Sequence, residues 1–186
     1  TELAEAKRHA KRPSLVKSFA IEGLYGYRTV TLSSKFAATI LIAKNGSGKT
    51  TLLAVLDAFL KGQFGRLKGL QFNRIVCRLH GVEEELVLTH ADVHSLTNIS
   101  ESHYLHQVAA WIGVGSDSLL DFIDNDYIPS RKMDYATFSD NEIFSKIQSK
   151  VSYSHSEVKK QVDRLVESLK GRNENVERII ALLKQV

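Results

Sequence analysis

Apolar and polar positions change period several times along this chain, and each change predicts an element. From Leu15 to Ile21 apolar residues fall in two alternating sets, Val16 with Ala20 and Phe19 with Ile21, which predicts a strand. The turn signal EGLYGY follows, and Arg28 to Leu32 reads as a second strand. Ala37 to Ala43 is a continuous apolar run, the mark of a central strand buried on both faces. From Lys49 the sequence KTTLLAVLDAFLKG predicts a helix with Leu52, Leu53, Leu56, Phe59 and Leu60 on one face and Gly62 as its stop. After a loop containing Gly and Lys, Arg74 to His80 and Glu84 to Thr89 predict two strands joined at Gly81, with Glu83, Glu84 and Glu85 solvating the turn. Residues 101–123 predict one or two helices offering Trp111, Ile112, Leu119, Leu120 and Phe122 for burial. The polar stretch Asp124 to Asp140, with Pro129, reads as a loop.

The period changes again near the end. Val158, Leu165, Arg172, Ile179 and Val186 are spaced in sevens, and so are Val162, Leu169, Val176 and Leu183. Eight of these nine positions are apolar, which is the a/d spacing of a coiled-coil seam, weakened in its centre by Gly171 and Arg172. The same stripe suits an amphipathic helix lying on the domain, so a projecting arm and a docked helix both fit. The stripe is still in register at Val186, with no capping glycine or polar exit, which predicts that the helical pattern runs on. At the other end Lys7, Arg8, Lys11 and Arg12, closed by Pro13, make a basic arm or short helix. The expected organisation is therefore an arm over 1–14, an α/β domain over 15–150 and a helical segment over 151–186.

Composition narrows the class. Hydrophobic residues at 43% and charged residues at 25% describe an ordinary globular chain of 186 residues. No run approaches the roughly 18 apolar residues that span a membrane. The opening TELAEAKRHAKRPS holds no apolar signal core, and Cys77 is the only cysteine, so an internal disulfide is excluded and a cytoplasmic setting is expected. The net charge of +4 permits nucleic acid as a partner without demanding it.

The chemistry lies between the apolar run and the first helix, in AKNGSGKTT, Ala43 to Thr51. The P-loop pattern is G-x-x-x-x-G-K-[ST]; here Ala43 replaces the first glycine, and Gly48, Lys49 and Thr50 fit. Gly46 and Gly48 allow positive φ, so the successive N–H groups of Asn45, Gly46, Ser47 and Gly48 can converge on phosphate oxygens. The following helix adds its N-terminal partial charge. Lys49 suits the β- and γ-phosphates, and the Thr50 hydroxyl suits magnesium. Thr51 and Asn45 fall at the α- and γ-phosphate ends. A strand before and a helix after are the context the motif requires, and both are predicted. The expected cofactors are ATP and magnesium, on a P-loop NTPase of the α/β class.

Other candidates carry bland alternatives. Gln71 suits a sensor of the γ-phosphate and a second magnesium contact, or is a surface glutamine. Tyr25 or Tyr27 can stack on adenine or simply pack, and Arg28 can meet a phosphate or a surface carboxylate. His90 with His94, and His103 with His106, have helical spacing for metal ligation, but no cysteine or acid at ligand spacing completes either set. Hydrolysis needs an acid at the end of a second strand, and no apolar run ends in Asp-Glu; Asp92 and Asp121 to Asp126 follow the wrong kind of segment. The residues thus predict nucleotide binding and show no group for cleavage.

The run from Ile21 to Leu60 resembles the N-terminal lobe of ABC-type ATPases of the SMC, RecF and OLD group, with Asn45 to Thr50 matching its N-G-S-G-K-[ST] core. More narrowly, residues 19–62 resemble the PtuA-like ATPase subunits of Septu antiphage systems, including those carried with retrons. The resemblance implies a mixed sheet with an antiparallel edge portion. It also implies a helical or coiled-coil insertion beginning near Val158, with the Walker B acids, signature motif and switch histidine beyond it. Its implied partners are a second copy through the ATPase heads, a PtuB-like HNH nuclease whose activity nucleotide regulates, and nucleic acid as retron DNA or target. A DNA-repair ATPase of the SMC or RecF kind, or the ATPase half of an OLD-type nuclease, are the alternatives within the group.

Overall fold

The computed structural model describes residues 15–33, 49–130, 138, 140–151 and 154–186. The predicted central strand Ala37 to Ala43 and the loop residues Asn45, Gly46, Ser47 and Gly48 lie outside them, as does the basic arm; of Lys49 and Thr50 only the helical backbone is described. The first strand, β1 (Val16–Leu24), pairs antiparallel with β2 (Arg28–Ser33) and, on its other edge, with β3 (Arg74–Leu79). β3 in turn pairs antiparallel with β4 (Leu86–Thr89), so the described sheet runs β2-β1-β3-β4. Four strands were expected here, and four are found, with β1 running three residues further than Ile21. Every described pairing is antiparallel; the parallel part of the expected mixed sheet would need the strand outside the described residues.

Period-two patterning makes the sheet one-sided. Phe19 stands opposite Leu32 and Cys77, Ile21 opposite Ile75, and Ile75 and Cys77 opposite Leu88 and Leu86; all are buried. The intervening residues of β3, Arg74 and Arg78, are exposed and pair with Glu22 and Glu85. Helix α1 (Lys49–Leu60) contributes to the same core cluster as this apolar face, and Phe59 sits edge-on between Phe19 and Phe64, with ring centroids 5.7 and 5.4 Å apart. Its inward face is Leu52, Val55, Ala58 and Phe59. Leu53, expected inside, is exposed: the helix is turned so that positions 52, 55 and 59 face the core, and 53 points away from it. A 3-10 turn (Phe64–Leu67) follows α1, and the short helix α2 (His90–Ser95) follows β4.

A second apolar cluster is entirely helical. It is built from α3 (Tyr104–Ile112), α4 (Ser116–Asp121), a π-helical turn (Phe122–Tyr127), α5 (Glu142–Lys150) and α6 (His155–Leu169). Ile112, Leu119, Leu120 and Phe122 are buried as expected, whereas Trp111 is 42% exposed, on the outer side of α3. The loop expected over Asp124 to Asp140 is also corrected. Asp124 to Tyr127 continue α4 as the π-helical turn, which turns Phe122, Ile123, Asp124 and Tyr127 inward.

The heptad stripe is divided. Leu169 ends α6, Gly171 takes φ +85, a left-handed conformation that glycine adopts at no steric cost, and α7 (Glu174–Gln185) starts under an Asn173 cap, whose Oδ1 accepts from the Val176 N–H at 3.0 Å. Val158, Val162, Leu165 and Leu169 are buried in the helical cluster, while Val176, Ile179 and Leu183 are buried against the sheet. The apolar stripe therefore serves packing inside this chain. Counting in sevens across Gly171 joined two helices that belong to different cores.

Arg172 stands at that break and ties the two clusters. Its Nη1 and Nη2 donate to the Asp124 carboxylate at 3.1 and 2.7 Å, Nη1 also to the Leu96 carbonyl at 2.9 Å, and Nε to the Leu169 carbonyl at 3.1 Å. A second tie runs through Asp92. Its carboxylate accepts from the Thr89 N–H at 2.9 Å, closing a capping box on α2, and from Asn173 and Asn175 of the α7 start at 2.9 and 3.1 Å. Burial pushes this carboxyl up, but the Thr89, Asn173 and Asn175 hydrogen bonds outweigh burial and hold it below the ordinary aspartate value of 3.8. A lowered folded value means that the stabilisation is present above pH 3.8 and lost as pH falls through the folded value. Asp92→Asn is expected to lower stability at neutral pH by about 1–2 kcal/mol and to flatten the acid limb of the stability–pH curve. Urea midpoints measured from pH 2.5 to 7 check this; parallel curves for the two proteins would refute it.

Candidate functional site

The first turn of α1 is where the motif meets the described structure. α1 begins at Lys49, so Lys49, Thr50 and Thr51 form the first turn directly after Asn-Gly-Ser-Gly, with backbone N–H groups facing out of the helix start. The turn between β1 and β2 reaches over to it. Tyr25 places its phenolic oxygen 2.9 Å from Thr51 Oγ1, and its backbone N–H donates to the Gln71 carbonyl at 2.9 Å. Gly26 lies against the Gln71 side chain, where a β-carbon would stand 3.2 Å from Nε2, a tight approach that glycine avoids. Thr51, Tyr25 and Gln71, three sequence-predicted candidates from separate elements, are therefore joined through one turn.

Tyr27 and Arg28 close the same turn. Tyr27 is 75% exposed, and the Arg28 guanidinium lies 5.6 Å from its ring centroid, so the two stack on each other at the surface. A hollow of about 280 Å³ lies beside Thr51, walled by Ala54, Val55, Leu67, Leu70 and Arg66. Arg66 is itself engaged by Asp57 at 2.9 Å and Gln63 at 2.8 Å. Hydrogen bonds from Arg66 and then Lys61 hold the Asp57 carboxyl below its usual range. A larger cavity, about 620 Å³, opens at the opposite end of α1 around Gly62, Gln63, Asn125 and Pro129. It holds none of the motif residues and sits at the helix end whose partial charge repels anions.

Three of the four histidines considered as ligands have other partners. His90 packs edge-on against Phe72 with centroids 5.5 Å apart, and His94 is exposed. His103 caps α3, its Nδ1 accepting from the Leu105 N–H at 2.9 Å; the ring proton is then on Nε2, which donates to the Ser168 carbonyl at 3.1 Å. His106 Nδ1 is 2.7 Å from Ser116 Oγ. Among the described residues no three His, Cys, Asp or Glu side chains are grouped to hold a metal ion. The acids considered for hydrolysis have structural partners: Asp92 in the α2 cap, Asp121 with Lys68 at 2.7 Å, and Asp124 with Arg172. Asp126 has its carboxyl raised by burial and by neighbouring Asp121.

Sequence reasoning offered Tyr25 or Tyr27 as an adenine platform or a packing residue, and missed the Tyr25 hydroxyl contact. The signal available was the YG pair, Tyr25-Gly26, after Gly23, a spacing that bends the chain sharply at a residue with a long polar tip. No helix among the described residues is long and apolar enough to cross a membrane. Comparison with protein-family models, with curated proteins and with solved structures finds nothing that matches the chain.

Proposed function

We propose that this chain binds ATP with magnesium on the segment Ala43 to Thr51. The observation that carries the reading is the position of the α1 start: the helix begins at the motif lysine, immediately after the two glycines. Helix-start amides and a lysine at that point attract the triphosphate, and Thr50 is the motif's magnesium residue. Asn45, Gly46, Ser47 and Gly48 would supply the amide cradle. Gln71, brought to the same turn as Thr51, would add the γ-phosphate or magnesium contact.

The resemblance of residues 19–62 to PtuA-like subunits extends the proposal. On that reading the chain is the ATP-binding subunit of an antiphage defence complex, pairing head to head with a second copy and controlling an HNH nuclease partner. Control of this kind requires ATP to bind two assembly states with different affinity.

The test is a titration of ATP with magnesium into the wild type and Lys49→Ala. Loss of a charge-assisted phosphate contact is expected to weaken binding by about ten- to a hundredfold. Equal affinity for the two proteins removes the P-loop reading. Native mass spectrometry of the protein purified with its genomic neighbours, with and without ATP, tests the partner. A nuclease-containing complex whose composition follows ATP supports the defence reading. Salt-sensitive duplex DNA binding by the chain alone points instead to a repair ATPase.

A further inference from the structure

Tyr25 takes φ +56 and is the one residue other than glycine with positive φ among the described residues. A side chain with a β-carbon is disfavoured there, and backbone held in such a region points to a compensating contact. Burial of the ring is not that contact, because Tyr25 is 44% exposed. The turn itself does not require a tyrosine. It closes through backbone bonds, Gly26 N–H to the Gly23 carbonyl at 2.9 Å and Tyr27 N–H to the Leu24 carbonyl at 3.3 Å, which glycine at position 25 would serve with less strain. What the tyrosine adds is its hydroxyl, 2.9 Å from Thr51 Oγ1 on the first turn of α1.

A threonine hydroxyl carries one proton and two lone pairs. When Tyr25 donates to Thr51, the Thr51 proton is directed to some other acceptor. We infer that Tyr25 is a positioning residue of the nucleotide site: its hydroxyl fixes that of Thr51 as a donor to a phosphate oxygen, and its backbone N–H ties this setting to Gln71. The inference rests on the P-loop reading above and adds to it a residue that sets the Thr51 hydroxyl. Thr51 and the Gln71 backbone carbonyl are both held by this one strained residue.

A double-mutant cycle on the full-length protein tests this, with ATP and magnesium titrated calorimetrically into the wild type, Tyr25→Phe, Thr51→Val and the double variant. Tyr25→Phe is expected to bind about three- to tenfold more weakly and Thr51→Val about tenfold more weakly. The double variant should be no weaker than Thr51→Val, because Tyr25 acts through Thr51. Tyr25→Gly relieves the backbone strain while losing the hydroxyl, so it should melt no lower than the wild type without nucleotide and yet bind as weakly as Tyr25→Phe. A purely structural role predicts the reverse: a lower melting temperature and multiplicative effects in the cycle. If the wild type binds ATP, Lys49→Ala weakens that binding as expected above, and Tyr25→Phe matches the wild type, this inference fails while the P-loop reading stands. If the wild type shows no ATP binding, both fail together.

Discussion

Arg172→Ala is expected to destabilise the chain by about 3–5 kcal/mol, the cost of removing one partner of a buried ion pair. The Arg172 and Asp124 side chains are 13% and 5% exposed, so the carboxylate left behind would have little water to replace the guanidinium. The Leu96 and Leu169 carbonyls would lose a donor at the same time. These acceptors come from different places: Leu96 belongs to the sheet cluster, Leu169 and the π-helical turn to the helical one. The variant should therefore loosen the coupling of the two clusters as well as lower stability. Trp111, the only tryptophan, reports from α3 of the helical cluster, while far-ultraviolet dichroism averages the whole chain. Urea unfolding followed by both probes should give one shared midpoint in the wild type and separated midpoints in Arg172→Ala. Pairing Arg172→Met with Asp124→Leu should recover most of the loss, because an apolar pair carries no stranded charge. A single change worth under about 1 kcal/mol would show that the pair is solvated in solution.

Phe59→Ala is the second large effect, expected at about 3–5 kcal/mol. Phe59 is fully buried and makes edge contacts with both Phe19 on β1 and Phe64 in the 3-10 turn, so the deletion leaves a cavity walled by two rings that have lost their partner. Those ring contacts add about 0.5–1.5 kcal/mol each beyond area burial. Phe59→Leu keeps most of the volume and should recover more than half of the loss. Because Phe59 packs α1 against β1, the alanine variant should also weaken the proposed ATP binding at temperatures where the protein is still folded. A drop in melting temperature with unchanged nucleotide affinity would show that the start of α1 is held by other contacts.

Much of the sheet was legible because apolar residues recur at every second position between turn signals, as Ile75, Cys77 and Leu79 do. The α1 boundaries were legible too, with the motif glycines before Lys49 and Gly62 after the last turn. The failures share one cause, that periodicity carries no information about which neighbour a face will meet. The stripe through 158–186 is continuous in sevens, yet Gly171 and Asn173 form a stop and a start, and those two residues outweigh nine positions of spacing. Leu53 and Trp111 are apolar residues that the core does not reach. Asp124 read as loop polarity because its counter-charge, Arg172, is 48 residues away and occupies what looked like a defective seam position. At the candidate site the motif was legible from glycine, lysine and threonine spacing alone. The Tyr25–Thr51 contact was not: the glycines around Tyr25 signal a sharp turn, but not which helix its phenol meets.

Strand β3 also contains a clock. Cys77 is the only cysteine, is fully buried in β3, and burial pushes its thiol up to about 12. Only the thiolate attacks an alkylating reagent, and at pH 8 such a thiol is ionised roughly one time in ten thousand. The folded molecule is then almost inert to iodoacetamide, and each adduct marks one event in which the core around Cys77 opened. Labelling rates with and without ATP would measure, at a single atom, whether the proposed nucleotide binding at α1 steadies the core between α1 and β3, with no probe introduced into the protein.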